Sequence, residues 1–285
     1  AFIREKFAFS VFGLYPFEER WRPLGMLLVF AAMVVVSMFK VAWRRELLIA
    51  WVVAFLAMYW LMAGGFGLTV VETRLWGGWP VTVWIAVVGL LFAFPISILL
   101  ALGRRSKLPV IKYVCIVWIE FVRGVPLISI LFMATFIVPL FLPGGVTIDR
   151  LMRAQVAFTM FASAYLAEVV RGGLQAIPRG QYEAGDAVGL SYWQKMYLIV
   201  LPQALKITIP AQVNTFIGLF KDTTLVLVIG IFDFFTTLRS ALGDSNWLGF
   251  ATEAYVYAAT VYFVFCFAIS RYSLWLEKDL ERGHK

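Results

Sequence analysis

Residues 182–205, YEAGDAVGLSYWQKMYLIVLPQAL, form a charged, glycine-punctuated stretch in a chain that is otherwise strongly apolar. The stretch contains Glu183, Asp186 and Lys195, and apolar segments flank it on both sides. An ordinary polar loop would need no regular pattern, yet the glycines and prolines here are regularly spaced. The first question is therefore what kind of protein surrounds this stretch.

The composition indicates an integral membrane protein. Of the 285 residues, 62% are hydrophobic and 15% are charged, whereas soluble domains carry about 25% charged residues. The net charge of +8 arises from cations at the ends of apolar runs, which is typical of loops facing anionic lipid and argues against a nucleic-acid partner. Cys115 and Cys266 lie in apolar segments and His284 is the single histidine, so no disulfide framework, metal site or catalytic residue is expected.

Seven apolar runs approach or exceed the length that spans a bilayer. They cover 24–39, 47–64, 81–102, 110–142, 152–175, 204–236 and 253–276. Two of them are too long for one straight crossing, and both contain breaks, the first at 123–126 and the second at Pro210 and again at Lys221-Asp222. Such breaks are tolerated where the freed backbone is buried or lines a cavity. The fold class expected is an all-α polytopic membrane bundle.

The distribution of Lys and Arg predicts the orientation. With the loop at 103–109 inside, fifteen cations fall in inside segments and four in outside segments, as the positive-inside rule requires. The stretch at about 178–203 and the C-terminus are then cytoplasmic. Seven spans place residue 1 outside, beside an aromatic and charged segment, FGLYPFEERWRP (12–23), that suits a membrane interface. We expect one more spanning helix upstream.

The local pattern of the charged stretch predicts a helix built for a soluble partner. Residues 183–188 favour a short helix, and Gly189 lacks a Cβ and so can end it. An apolar docking face is then expected from the residues that follow at helical spacing, Tyr192, Trp193, Met196 and Tyr197. The chain has no phosphate-binding loop of the G-x-x-x-x-G-K-[ST] type, so energy from ATP would have to come from that partner.

The stretch resembles the EAA motif of permease subunits of ABC importers, whose pattern is E-A-A, three residues, G, nine residues, I-x-L-P. Every spacing matches, and the departure is Gly185 where alanine is usual. The resemblance implies that the helix sits in a cleft of an ATPase subunit and couples its motion to the membrane. The coupling residues would be Glu183, Ala184, Gly185, Asp186, Gly189, Leu201 and Pro202. Since glycine costs about 1 kcal/mol in a helix relative to alanine, Gly185 could loosen the docking helix.

Three further segments resemble polar amino-acid permeases: EFVRGVPLISILF (120–132), AEVVRGGLQAIPRGQYEAG (167–185) and LPQALKITIPAQVNTFIGLFKDTTLVLVIG (201–230). The resemblance implies a five-helix type I core at 78–276, an N-terminal part at 1–77 with two additional helices, and a cytoplasmic tail at 277–285. It further implies L-amino-acid import across a bacterial inner membrane. The partners would be an ATPase dimer that binds ATP and Mg, a second related permease in a heterodimer, a periplasmic amino-acid-binding protein and membrane lipid.

Ionisable residues inside the predicted spans are candidates for the transport pathway. Glu120 and Arg123 are three residues apart, as are Glu168 and Arg171, so each pair lies on one helix face where the charges can compensate. Structural pairing is the first interpretation. Gating at the cytoplasmic mouth is the second, with Gly124 and Pro126 breaking the helix beside the pathway.

The segment Lys221-Asp222-Thr223-Thr224 is the main candidate for substrate contact. Asp222 could cap a second half-helix beginning at Thr223, whose N-terminus would suit a substrate carboxylate, or could receive the substrate ammonium. Alternatively Lys221 and Asp222 form a self-contained pair at a helix break. Asn214 and Gln212 on the same segment could line the pathway or bridge helices.

A second class of protein also fits part of the sequence. An ion-coupled secondary transporter would explain broken helices and mid-span charges. It would not explain the patterned cytoplasmic stretch, and the chain shows no inverted repeat. A membrane-embedded enzyme would require a metal or nucleophile cluster that the sequence lacks.

Overall fold

The computed structural model describes residues 2–282, and this part of the chain is predominantly α-helical. Its α-helices in chain order are α1 (Phe2–Phe12), α2 (Trp21–Met38), α3 (Arg45–Ala63), α4 (Gly78–Arg104), α5 (Pro109–Gly124), α6 (Leu127–Phe132), α7 (Arg150–Ala176), α8 (Arg179–Ala187), α9 (Tyr192–Lys195), α10 (Leu201–Ile207), α11 (Ile209–Asp222), α12 (Phe234–Ala241) and α13 (Ala251–Arg282). A two-residue strand, β1 (Phe232–Asp233), pairs in parallel with residues 77–78. The all-α prediction is confirmed, and positions 283–285 of the expected tail lie outside the described residues.

Five helices of the described chain are long and apolar enough to cross a membrane, and a bent pair adds a sixth if it counts as one span. The five segments are Phe17–Met38, Arg45–Ala63, Gly78–Arg104, Ile209–Ile229 and Ala251–Asp279. Helix α7, at 27 residues, matches the span expected at 152–175 in length but is less apolar. It buries Gln155, Thr159 and Ser163, each at most 8% exposed, which explains its lower hydropathy.

The bent pair lies at the predicted break after Arg123. Segments Pro109–Gly124 and Leu127–Phe141 meet at 101°. Val125 has φ −104° and ψ 132°, the extended conformation to which a following proline restricts its neighbour. Pro126 then precedes α6 and has no N–H to continue the earlier ladder. Local backbone chemistry therefore makes this bend.

The chain divides into two compact units. The first comprises residues up to Trp84, Pro143–Met152 and Thr224–Ala258. In it α1 packs against α12, and the Phe2 ring lies 5.3 Å from that of Trp247. Lys6 Nζ donates to Asp244 Oδ2 at 2.7 Å, which lowers the pKa of that partly buried carboxyl.

Within this first unit the N-terminal hairpin of α2 and α3 is held by a buried cation. Arg22 is fully buried, and its Nε and Nη1 donate to the Leu61 and Thr69 carbonyls at 2.7 and 2.9 Å. The hydroxyl of Tyr15 donates to the Met62 carbonyl at 2.8 Å, and burial raises the pKa of Tyr15 to about 12. The segment expected at the membrane interface therefore turns two of its amphipathic side chains into the hairpin.

The second unit comprises Ile85–Leu142, Arg153–Thr223 and the part that begins at Ala259. One of its hydrophobic clusters joins α4, α7 and the region around α10, and its buried members are Ala101, Leu102, Val170, Leu174, Ile177, Met196, Val200 and Ala204. This cluster positions the charged stretch, because the segment that follows α8 supplies Met196 and Val200 directly to it.

Candidate functional site

The charged loop, residues 178–203, folds as two short helices and a π-helical turn. Helix α8 begins after Pro178 and ends where Leu190 N donates to the Gly185 carbonyl at 3.1 Å. Gly189 follows with φ +75°, a left-handed conformation that glycine adopts without a Cβ clash. Gly189 therefore terminates α8 and reverses the chain toward α9.

Helix α9 starts with a capping box. Ser191 Oγ accepts from Gln194 N at 3.4 Å, and Ser191 N donates to Gln194 Oε1 at 2.9 Å. Residues Met196–Val200 then form a π turn that leads directly into α10, with Leu201 and Pro202 at its start. A π turn closes its hydrogen bonds one residue further along than an α-helix, so the missing N–H and the ring of Pro202 are accommodated without ending the helical path.

The inner face of the loop is built around Gly185. This glycine is buried, and a Cβ placed on it would lie 2.8 Å from Lys195 Cδ and 2.9 Å from Lys195 Cγ. The Lys195 side chain is buried and its ammonium forms an ion pair with Asp186. The missing methyl thus makes room for the lysine stem of α9. The departure from the motif, which by sequence could loosen the docking helix, therefore lies on the inner face of the loop and packs against Lys195.

The outer face of α8 is free of such internal packing. Glu183 and Ala184 are exposed, and Val188 is 72% exposed.

The structure separates the docking face predicted within residues 192–197 into exposed and buried side chains. Tyr192, Trp193 and Tyr197 are exposed, whereas Met196 is 4% exposed and packs in the cluster. Met196 was wrongly assigned to the docking face, because it packs in the cluster with residues of α4 and α7, which helical spacing within the stretch does not reveal.

The loop is tied to α4 and α7 by polar contacts as well. Arg105 Nη1 donates to the Leu174 carbonyl at 2.8 Å and to the Tyr182 hydroxyl at 3.1 Å. The Tyr182 hydroxyl also donates to the Leu174 carbonyl at 3.1 Å, and the Arg105 guanidinium lies 5.6 Å from its ring centre. These contacts fix helix α8 to the end of α7. On α9, partial burial raises the pKa of the Tyr192 hydroxyl.

A second polar site joins three helices of the same unit. Arg104 Nη1, at the end of α4, lies 2.8 Å from Glu120 Oε1 on α5 and 3.0 Å from Glu168 Oε1 on α7. Arg171 Nη2 lies 2.8 Å from Glu168 Oε2. Arg123 Nη1 is 3.9 Å from the same oxygen, and its guanidinium lies 5.5 Å from the Tyr165 ring centre. One arginine therefore bridges two glutamates from different helices.

The structure confirms one predicted pair and corrects the other. Glu168 and Arg171 interact as the spacing of three residues predicts. Glu120 pairs with Arg104, while Arg123 turns toward Glu168 and Tyr165. The helical spacing brings Glu120 and Arg123 to one face, but Arg104 from a neighbouring helix supplies the closer cation.

The candidate pathway residues lie at separate places along α11. Gln212 is 7% exposed and donates to Thr208 Oγ1 at 2.7 Å and to the Leu205 carbonyl at 3.3 Å. It therefore bridges the α10–α11 junction, one of the two roles weighed for it. Asn214 is exposed, as is Lys221 at the far end of the helix.

The second half-helix expected at Thr223 does not form. Asp222 is the last residue of α11, and Thr223 keeps right-handed helical torsions of φ −56° and ψ −25°. The chain continues directly as a 3-10 helix from Thr223 to Ile229, so no new helix N-terminus opens for Asp222 to cap. The Thr223 hydroxyl is buried and donates to the Phe220 carbonyl at 2.8 Å, and Thr224 is partly buried. The carboxylate of Asp222 is consequently not committed to a cap.

Three residues that contribute to these sites were missed in the sequence. Arg104 and Arg105 form the cationic end of an apolar run, which signalled only a loop. Lys195 was noted as a charge of the stretch, but its burial against Gly185 follows from the turn at Gly189 and is not visible in the spacing.

Comparison with known proteins places these features in one family. Residues 93–282 match the family described as binding-protein-dependent transport system inner membrane component. The chain is 50% identical over 285 residues to the inner membrane amino-acid ABC transporter permease protein YhdY of Escherichia coli strain K12, covering 99% of this chain and 78% of that protein. It is 45% identical over 241 residues to the glutamate/glutamine/aspartate/asparagine transport system permease protein BztC of Rhodobacter capsulatus, covering 80% of this chain and 56% of that protein.

Solved structures agree in fold. The crystal structure of an amino acid ABC transporter with histidines has a TM-score of 0.62 at 29% identity and covers 71% of this chain and 92% of that chain. An inward-facing MetNI methionine ABC transporter has a TM-score of 0.52 at 21% identity, over 68% of this chain and 89% of that chain. The latter likeness concerns the fold alone. On the family match and the identity along nearly the whole chain, the protein belongs to the binding-protein-dependent transport system inner membrane components.

Proposed function

We propose that the chain is a permease subunit of an ATP-driven ABC importer that moves L-amino acids inward across a bacterial cytoplasmic membrane. The observation that carries the proposal is the two-sided build of the charged loop. Its outer face presents Glu183 and Ala184 to solvent, while its inner face is anchored in a helical core. The substrate class is supported by the relatives, which are named as amino-acid permeases.

The anchoring gives the loop a way to transmit force. Met196 and Val200 pack with Leu102 of α4 and with Val170 and Leu174 of α7. Close-packed cores do not absorb a displacement of one member by simple compression. A partner that moves α8 would therefore move the ends of α4 and α7 with it.

The orientation and partners follow from the same proposal. The charged loop and the C-terminus would be cytoplasmic, in line with the excess of cations on that side. An ATPase dimer, with ATP and Mg bound in its own sites, would grip Glu183 and its neighbours. A second related permease subunit would complete the pathway, and a periplasmic binding protein would deliver the amino acid.

Within the pathway we assign two roles to polar groups of the second unit. The bridge from Arg104 to Glu120 and Glu168 ties three helices near the charged loop, so its opening would accompany release to the cytoplasm. Asp222, which caps no helix, would contact the substrate ammonium from α11.

The test is transport by the reconstituted importer. The chain, its companion permease and the ATPase are placed in proteoliposomes with the binding protein, and amino-acid uptake is measured with and without ATP. Uptake should require ATP, and Glu183→Arg should abolish both uptake and transport-stimulated ATP hydrolysis while the subunit still inserts.

A matched control separates loss of coupling from a general effect of charge. Glu72→Arg makes the same charge change at an exposed glutamate in the other unit, and it should leave uptake unchanged. Uptake driven by an ion gradient without ATP, or normal uptake by the Glu183→Arg variant, would refute the proposed function.

A further inference from the structure

A groove beside the charged loop has an apolar wall and a cationic rim that the proposed coupling does not explain. It lies between the end of α4, the start of α5 and the aromatic pair of α9, and its volume is about 630 Å³. Its apolar wall includes Leu99, Leu108 and Ile111, and its rim includes Arg105, Lys107 and Trp193. It thus combines an apolar wall with a cationic edge.

The charge at the rim is of one sign. Lys107 is exposed, and both hydrogen-bond acceptors that the structure gives to Arg105, the Leu174 carbonyl and the Tyr182 hydroxyl, are uncharged. None of the described residues that line the groove is an aspartate or glutamate. The rim therefore complements an anion.

Further along α5 the helix surface is also apolar. A second groove of about 400 Å³ follows on this helix, lined by Tyr113, Val114, Val117, Trp118 and Phe121. From Ile111 to Phe121 the helix rises about 15 Å at 1.5 Å per residue. An extended hydrocarbon chain can lie against this length, and a small soluble anion would leave it uncovered.

The aromatic pair fixes the level of the groove in the membrane. Tyr192 and Trp193 are 50% and 65% exposed, and their ring centres lie 5.2 Å apart. Exposed Tyr and Trp rings next to apolar helix faces are typical of the headgroup level of a bilayer. Basic residues at that level attract anionic headgroups on the cytoplasmic side.

We propose that the groove binds one anionic phospholipid of the cytoplasmic leaflet. Its phosphate lies against Lys107 and Arg105, and one acyl chain runs past Leu99 and Ile111 along α5. The lipid is thereby in contact with the ring pair of α9, on the segment that links the coupling helix to the core. The proposal deepens the proposed function and rests on its orientation of the loop.

Lipid binding can be measured independently of transport. The full chain, assembled with its ATPase in neutral detergent, is titrated with dioleoyl phosphatidylglycerol or dioleoyl phosphatidylcholine and examined by native mass spectrometry. One molecule of the anionic lipid should bind in preference to the zwitterionic one. Lys107→Ala should weaken that binding about five-fold, as expected for one basic residue at a membrane surface.

The matched control is Lys112→Ala, which removes an exposed cation of α5 that does not line the groove and should leave the affinity unchanged. Ile111→Gln should weaken binding of the anionic lipid, although both cations of the rim remain in place. Millimolar inorganic phosphate should not displace the lipid, since it has no chain to cover α5.

Three results would overturn the proposal. Equal loss in the Lys107 and Lys112 variants would indicate only a general surface charge. Displacement of the lipid by inorganic phosphate would indicate an ion site without a chain. Unchanged lipid binding by Lys107→Ala, together with weaker retention of the ATPase on size exclusion, would make the groove a protein interface. None of these readouts depends on uptake, so the lipid site can fail while the proposed function stands.

Discussion

Adding one methyl group at Gly185 should weaken the charged loop, although alanine is the better helix former. The new Cβ would lie 2.8 and 2.9 Å from two carbons of the Lys195 stem, closer than carbon atoms pack without strain. These carbons are in the middle of a side chain that is buried and held by its ion pair with Asp186. The Lys195 side chain would have to leave its position, and its ion pair with Asp186 would be lost.

The expected magnitude combines two opposing effects. Replacing glycine by alanine within a helix stabilises it by about 0.5–1 kcal/mol. Overpacking a filled site destabilises by about 1–3 kcal/mol. The Asp186–Lys195 pair adds little, since Asp186 is 63% exposed and such pairs contribute about 0–1 kcal/mol. The steric effect is the larger, and we expect a net loss of about 1 kcal/mol.

A double-mutant cycle in thermal unfolding measures the interaction free energy between positions 185 and 195 directly. In the Lys195→Ala background, Gly185→Ala has no stem to displace and should stabilise by the helix effect alone. The coupling between the two positions should then be about 1–3 kcal/mol, which is well above the error of additivity for independent sites. Lys195→Met is the matched control, because it removes the charge while keeping a long stem, and it should retain most of the coupling.

The same variants distinguish packing from partner binding. If Gly185→Ala is stabilising in every background, the glycine does not make room for Lys195. If it leaves unfolding unchanged but lowers the affinity for the ATPase, position 185 contacts the partner instead. Either result would refute the internal packing of Gly185 against Lys195.

Three further outcomes are expected. Gly173→Ala should destabilise the subunit by about 1–3 kcal/mol in thermal unfolding, since its Cβ would lie 2.5 Å from the Ala204 carbonyl oxygen. Gly172→Ala is the control: a Cβ there meets no neighbouring atom within 4 Å, so this variant should be neutral or slightly more stable in the same assay. Arg104→Gln should remove the cation that pairs with Glu120 and one of the three arginines near Glu168. Because the Glu120 side chain is about half exposed, the free energy of unfolding should fall by about 1 kcal/mol, with Arg74→Gln, on an exposed surface pair, as the control that should show no change. Asp222→Ala should reduce uptake more than it reduces co-purification with the companion permease, and an equal loss of both would favour a structural role for this carboxylate.

The sequence predicted those features that depend on neighbouring residues. The bend after Arg123 follows from Pro126, which removes an N–H and restricts the residue before it. The end of α8 follows from Gly189, which has a left-handed conformation. The family resemblance likewise rests on spacing along the chain. Features of this kind need no knowledge of the fold.

The features that the sequence did not predict depend on elements distant along the chain. Arg104 reaches Glu168 from α4, which begins 72 residues before α7. Helical spacing favoured Arg123 as the partner of Glu120 because a spacing rule considers one helix at a time. The continuation of α11 past Asp222 as a 3-10 helix is a small change in backbone torsion. Neither Thr223 nor Thr224 signals that change, since both are compatible with a cap and with a helix.

Gly185 shows how a departure from a motif is better interpreted with a second residue. By itself, glycine in place of alanine suggests a weaker docking helix. Lys195, ten positions later, is a long residue at a site that is buried, and the turn at Gly189 brings its stem over position 185. The small residue and the large one fill the same space, so relatives with alanine at position 185 should carry a shorter or differently directed side chain at 195. Introducing Gly185 and Lys195 together into such a relative should preserve its ATP-driven uptake, whereas introducing either residue alone should impair that uptake.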